Sequence, residues 1–282
     1  MSDKKVWLIT GCSSGLGRAI ALAALEVGDI VVATARDPAE LGDLKAKGAA
    51  VEQLDVTAND ASLVETVESI LSKTNDQIDI LINNEGYMLN GGVEECSREE
   101  VQAIFSANVF GQLNTIRAVL PTMRKQRSGV VANIGSIEGW HGAPAIGLCS
   151  ATKACAAVLS ESLRAEVAHL GIKVTCIEPG YFRTNAEQRL RTQNVIEDLR
   201  ESVEPTIAAL DAYNHRQPGD PEKAGRLIVE ALSGRGNCRG LDLPPRLVIG
   251  NDAYEIANGL LNSHKGNLER WKDLITATDF ND

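Results

Sequence analysis

Val6-Trp7-Leu8-Ile9-Thr10-Gly11-Cys12-Ser13-Ser14-Gly15-Leu16-Gly17 is the stretch whose reading decides the fold. Val6 to Thr10 is a short apolar run with strand character. Glycines follow at 11, 15 and 17, and Leu16–Val27 then has helical spacing. A strand that turns through glycines into a helix lets a backbone approach a diphosphate closely. The helix N-terminus beyond it supplies free N–H groups and partial positive charge. Ser13, Ser14 and Leu16 in this turn join the three glycines as candidate cofactor contacts.

Outward from that turn the alternation continues. Apolar, β-branched runs at Ile30–Ala35, Val51–Leu54, Ile78–Ile82, Val130–Ile134, Val174–Ile177 and Leu247–Ile249 read as strands. Between them, Ala39–Lys47, Ala61–Lys73, Arg98–Arg124, Ser150–His169 and Lys223–Ser233 carry helical spacing, and a polar helical tail starts near Asp252. Continuous apolar strands alternating with amphipathic helices predict an α/β Rossmann fold, a doubly wound parallel sheet with helices on both faces. The pattern breaks at Thr184–Gln217, which is polar and weakly helical, and is expected to form a lid inserted after the sixth strand. Its Leu190, Val195, Ile196, Leu199, Ile207 and Leu210 suggest an apolar face toward a hydrophobic small-molecule substrate.

The chain has 282 residues, 44% hydrophobic and 23% charged, with net charge −10 and a pI near 5.0. This suits one dinucleotide-binding domain across residues 1–282, and the acidity argues against nucleic acid or an anionic membrane as partner. No apolar run approaches the roughly 20 residues needed to span a bilayer, and Met1 to Lys5 lead straight into the first strand. A cytoplasmic protein is expected. Cys12, Cys96, Cys149, Cys155, Cys176 and Cys238 are scattered, so free thiols are expected rather than disulfides or a metal site.

The motifs resemble, in order, those of the short-chain dehydrogenase/reductase family. They begin with Thr10-Gly11-x-x-x-Gly15-x-Gly17 and Asp55 after the third strand, with Val56 beside it. Asn83-Asn84-Glu85-Gly86 follows the fourth strand, where the family has Asn-Asn-Ala-Gly. Asn108, Ser136 and Lys153 stand at the family's catalytic asparagine, serine and lysine. Pro179-Gly180-Tyr181-Phe182-Arg183-Thr184 matches its nicotinamide-holding segment. The resemblance implies cofactor contacts from Asn83, Gly86, Lys153, Pro179, Gly180, Phe182 and Thr184, besides Asp55 and Val56. It also implies a homodimer or homotetramer paired through Arg98–Arg124 and Ser150–His169. At the end of the second strand an NAD-selective site would carry an acid, but here Ala35 and Arg36 stand there. Arg36, helped by Ser13, favours the 2′-phosphate of NADP(H).

One departure is decisive for mechanism. The family's tyrosine, the proton donor of Tyr-x-x-x-Lys, is replaced in Cys149-Ser150-Ala151-Thr152-Lys153. Cys149 and Lys153 are one helical turn apart, and the lysine is expected to favour the thiolate. A thiol sulfur reaches only about 3 Å from its Cα, against about 6.5 Å for a tyrosine oxygen, so Cys149 is not expected to be the direct acid. Glu138 and Glu85, where small residues are usual, are candidate acids, with His141 near Glu138 in sequence. Two readings follow: an NADP(H)-dependent reductase of a carbonyl or imine with a non-standard proton donor, or a non-redox isomerase, cyclase or lyase that keeps NADP(H) on the same scaffold. A pseudoenzyme is disfavoured by the retained Asn108, Ser136 and Lys153.

Overall fold

The computed structural model describes residues 4–184 and 189–280. The first seven elements are β1 (Val6–Ile9), α1 (Gly15–Glu26), β2 (Ile30–Ala35), α2 (Gly42–Ala46), β3 (Ala50–Gln53), α3 (Asp60–Lys73) and β4 (Ile80–Asn83). Then come β5 (Met88–Asn90), α4 (Arg98–Phe105), α5 (Gly111–Gln126), β6 (Gly129–Ile134), α6 (Gly147–Val167) and β7 (Ile172–Pro179). The chain ends with β8 (Arg189–Arg191), α7 (Arg200–Tyr213), α8 (Pro221–Ser233), β9 (Arg246–Ile249) and α9 (Asn251–Ile275).

Seven strands form one sheet in the order β3-β2-β1-β4-β6-β7-β9, and every neighbouring pair is parallel. Side chains alternate between the faces, as the period of a strand requires. Trp7, Ile9, Val31 and Ile82 pack with Ile20 and Ala24 of α1 and Ile228 and Leu232 of α8. Leu8, Val32 and Leu81 pack on the other face with Ile70, Ile116, Val119 and Val167 from α3, α5 and α6. The doubly wound α/β fold is therefore the one expected. Strand order reverses between β1 and β4, and at such a switch point the C-terminal strand ends leave a crevice.

Three features were not anticipated. The long helix expected over Arg98–Arg124 is broken by a π-helical turn at Ser106–Phe110, and Asn108 within that turn meets Tyr87, just before β5. Asn108 Oδ1 accepts from the Tyr87 N–H at 3.0 Å, and its Nδ2 donates to the Tyr87 carbonyl at 3.0 Å and to Thr152 Oγ1 at 3.2 Å. Second, β5 and β8 form a small parallel sheet that ties the wall after β4 to the segment after β7. Beside it Glu95 is buried and accepts from the N–H groups of Gly92 (2.7 Å) and Ile196 (2.9 Å). Those two bonds, the one from Ile196 foremost, hold its carboxyl below the usual range. Third, most of the expected lid is ordered as β8 and α7, while its residues 185–188 lie outside the described residues. Ile207 packs with Val203 and Ala145, with Leu199 against them, so these lid side chains face the domain. Leu190 and Val195 are exposed.

Candidate active site

The cleft begins at the turn after β1. Gly11 and Gly15 have φ of +66° and +60°, the left-handed region that glycine enters without strain. At Gly17 a Cβ would stand 2.4 Å from Asn84 Nδ2 and 2.5 Å from the Gly11 carbonyl oxygen, so only glycine fits. Asn84 clamps the turn: its Nδ2 donates to the carbonyls of Thr10 (3.1 Å) and Gly11 (2.9 Å). Thr10 Oγ1 in return accepts from the N–H groups of Asn84 (2.9 Å) and Glu85 (3.2 Å). Ser14, at the N-cap of α1, makes no side-chain cap bond. The first-turn N–H groups of α1 therefore lack that partner, beside a cleft wall made of Gly11, Ser13, Ser14, Gly15 and Leu16. A glycine cradle at a helix N-terminus fits a dinucleotide diphosphate.

From the cradle the cleft passes Ala35 and Arg36 on one side and Glu85, Gly86 and Tyr87 on the other. Burial pushes the Glu85 carboxyl up, opposed by Arg36 and reinforced by Asp55. Pro179, Gly180, Phe182 and Thr184 line the wall after β7. At the far end stand Ser136, Glu138, Cys149, Lys153 and Tyr181. Lys153 Nζ donates to the Ile134 carbonyl at 2.9 Å, and desolvation, against the pull of Cys149, lowers its ammonium. Ser136 Oγ accepts from the Glu138 N–H at 3.1 Å, which fixes the 3-10 turn Ile137–Trp140.

The remaining sequence-predicted residues lie off the cleft wall. Asn83 is buried in a polar core contact, donating to Asn133 Oδ1 at 2.8 Å. Asn108 is buried behind Tyr87. Gly17 packs on Asn84, and Asp55 closes its own turn by accepting from Thr57 N at 2.9 Å and Thr57 Oγ1 at 2.7 Å. Val56 is buried and packs with Leu54 and Leu63.

The expectation of a thiolate at Cys149 is corrected. Its side chain is buried with Leu89 and Ile104, and desolvation raises the thiol. Lys153 lowers it by less, and Glu138 adds to the rise. One helical turn of spacing does bring the lysine close, but loss of water outweighs the single nearby cation.

Two contributors were missed. Asn84 had a signal, since it stands inside a quoted motif. Tyr181 also stands in the quoted segment after β7, and its hydroxyl donates to Glu138 Oε1. Nothing local in the sequence pairs positions 43 residues apart. Among the described residues, no group of three or more His, Cys, Asp or Glu side chains is placed to hold a metal, and no helix is long and apolar enough to cross a membrane.

Known proteins are similar to this chain over most or all of its length. The short chain dehydrogenase family model matches residues 5–195. An oxidoreductase of Botryotinia fuckeliana is 34% identical over 279 residues, covering 97% of this chain and 99% of that one. A 3-ketodihydrosphingosine reductase of Bacteroides thetaiotaomicron is 41% identical over 235 residues, 81% and 84% of the two chains. The crystal structure of a short-chain dehydrogenase from Streptomyces avermitilis superposes with a TM-score of 0.89 at 38% identity, covering 99% of this chain and 100% of that one.

The state of Cys149 has a direct chemical readout. The thiolate is the form that alkylates, and the buried, raised Cys149 holds little of it near pH 8. Iodoacetamide labelling followed by peptide mass spectrometry is expected to modify the half-buried Cys155 well before Cys149. Labelling of Cys149 first would show an ionised, accessible sulfur.

Proposed function

We propose, from the premise that the chain belongs to the short chain dehydrogenase family, that this oxidoreductase is an NADP(H)-dependent reductase of a carbonyl or imine on a hydrophobic small molecule, working without the usual tyrosine. The observation that carries this reading is a single cleft with a glycine cradle and Arg36 at one end and Ser136 and Lys153 at the other. Redox chemistry is favoured over the isomerase or lyase alternative because the full-length Botryotinia relative is named an oxidoreductase. The Bacteroides relative is named a 3-ketodihydrosphingosine reductase. Leu16, Tyr87, Met88 and Phe182 give the cleft apolar walls suited to a hydrophobic ligand.

The residues divide the work by position. The glycine turn and the N-terminus of α1 would hold the diphosphate. Arg36, with no carboxylate at Ala35 to repel a phosphate, would hold the 2′-phosphate with Ser13. Pro179, Gly180, Phe182 and Thr184 would enclose the nicotinamide. Bound NADPH supplies hydride equivalents to an electrophilic carbon. Ser136 would orient the substrate oxygen or nitrogen. Lys153, anchored on the Ile134 carbonyl, would place positive charge beneath it. Cys149 fills the tyrosine position without reaching the reacting atoms.

The assembly belongs to the same proposal: a homodimer or homotetramer paired through the α4–α5 and α6 helices. Phe110 between α4 and α5 and Val158 on α6 are 54% and 55% exposed, which is unusual for apolar side chains on helices of this length and suits an isologous contact.

Three outcomes are expected. In fluorescence titrations NADPH binds more tightly than NADH, and Arg36→Ala weakens NADPH by about 1.5–3 kcal/mol, roughly 10- to 150-fold, while leaving NADH nearly unchanged. Equal affinities in the unaltered protein would remove the NADP(H) assignment. With NADPH and an activated ketone, Cys149→Tyr raises turnover, within the roughly 10²–10⁴-fold range of general acid catalysis, and Cys149→Ala stays close to the parent rate. Abolition of turnover by Cys149→Ala, with NADPH affinity intact, would make the thiol a catalytic group. Light scattering at micromolar concentration gives a dimer or tetramer mass, and a monomer would contradict the pairing.

A further inference from the structure

A tyrosine hydroxyl does stand at the reacting end of the cleft, delivered from the opposite wall. Tyr181 follows Pro179-Gly180 at the end of β7, and its ring is held from three directions. Its backbone N–H donates to Asp252 Oδ2 at 2.7 Å, and Asp252 can approach because a Cβ at Gly180 would lie 2.2 Å from its Oδ1. The edge of the ring meets Tyr213 of α7 with centroids 5.5 Å apart and planes at 85°. The hydroxyl donates to Glu138 Oε1. Glu138 belongs to the same turn as Ser136, so the phenol and the serine share one end of the cleft with Cys149 and Lys153.

The group behind the phenol is unusual. Glu138 is 7% exposed, and its Oε2 is buried without a hydrogen-bond partner. That oxygen faces His141 Nε2 at 4.0 Å, and the imidazole is 32% exposed while its Nδ1 is buried and unpartnered. The two carboxylate oxygens thus face two groups able to pass a proton, Oε1 the Tyr181 hydroxyl and Oε2 the His141 imidazole.

We propose that Tyr181 is the proton donor to the substrate carbonyl, that Glu138 replaces the proton Tyr181 gives up, and that His141 connects Glu138 to solvent; this rests on the reductase reading above. Before the step, the protonated Glu138 donates to the Tyr181 oxygen and leaves the phenol hydrogen directed at the substrate. As the carbonyl π bond opens, its carbon receives the hydride of NADPH and its oxygen takes the Tyr181 proton. The Tyr181 oxygen takes the Glu138 proton at the same time. The products are an alcohol, NADP⁺, a neutral phenol and a Glu138 carboxylate, and one proton from water through His141 restores the start. The hydrogen bond in the structure, phenol to carboxylate, is the arrangement the step leaves behind. Burial raises Tyr181 above the usual phenol range, so it enters the step neutral.

The experiment follows NADPH oxidation with 2,2,2-trifluoroacetophenone as the probe ketone, in light and heavy water. Tyr181→Phe keeps the ring and its edge contact with Tyr213. It is expected to lower kcat by about 10²–10⁴-fold, with KM and fluorescence-measured NADPH affinity nearly unchanged, and to abolish the solvent isotope effect of the parent. Adding Cys149→Tyr to Tyr181→Phe gives the turnover of Cys149→Tyr alone; a merely structural role of Tyr181 would leave the double variant lower by the same factor as Tyr181→Phe lowers the parent. Glu138→Gln, which can accept the phenol's hydrogen bond but has no acid proton to pass on, is expected to lower kcat without raising KM. It decides the matter if Tyr181→Phe loses its fold by circular dichroism. A parent-like kcat in folded, NADPH-binding Tyr181→Phe overturns the assignment and leaves the reductase reading standing, as does a parent-like kcat in Glu138→Gln. Absence of NADPH oxidation by the parent with this ketone and with a cyclic imine overturns both.

Discussion

The clamp between β1 and β4 is the constraint on which the rest depends. Thr10, Gly11, Asn84 and Glu85 exchange four hydrogen bonds where the order of the sheet reverses. These bonds set the width of the crevice and hold the glycine turn in its positive-φ geometry. They also fix where the chain leaves β4, and therefore where Gly86 and Tyr87 stand against Asn108 and Lys153. A side chain at Gly17 would strike both Asn84 and Gly11, so the same small residue serves helix packing and the clamp. The cofactor cradle and the reacting end are coupled through this backbone.

At the reacting end desolvation sets the protonation states. It raises Cys149 and lowers Lys153, so burial opposes the charged form of each even though each favours the charge of the other. A short, dry thiol of raised pKa is a poor acid and a poor nucleophile. In the proposed reaction the polar work falls to groups that are in contact with one another, namely Ser136, Glu138 and Tyr181.

Much of this was legible in the sequence because the relevant signals are local. The strand–glycine–helix turn, Ala35-Arg36 at the end of β2, Ser136 after β6, and Cys149 with Lys153 on one helical face all depend on spacings of a few residues. What escaped the reading depends on contacts between distant segments. The π turn carries Asn108, whose partners Tyr87 and Thr152 lie on distant segments. The Tyr181–Glu138 contact needs β7 and the turn after β6 to be neighbours in the sheet. The Cys149 thiol was misjudged for a related reason: spacing reveals that a lysine is near, while burial by Leu89 and Ile104 is tertiary.

The two-stranded sheet of Met88–Asn90 with Arg189–Arg191 bears on how such an enzyme can diversify. Its ladder, continued by the Thr192 N–H donating to the Asn90 carbonyl at 2.9 Å, is made by main-chain groups, which nearly every amino acid supplies alike. The far wall of the cleft is thus zipped shut without relying on the identity of the side chains it displays. Met88, which faces the cleft, and Leu190, which is exposed, are free to drift while the zipper persists. Substrate preference is in this sense evolvable separately from architecture: selection can repaint the wall without having to rebuild the hinge that carries it.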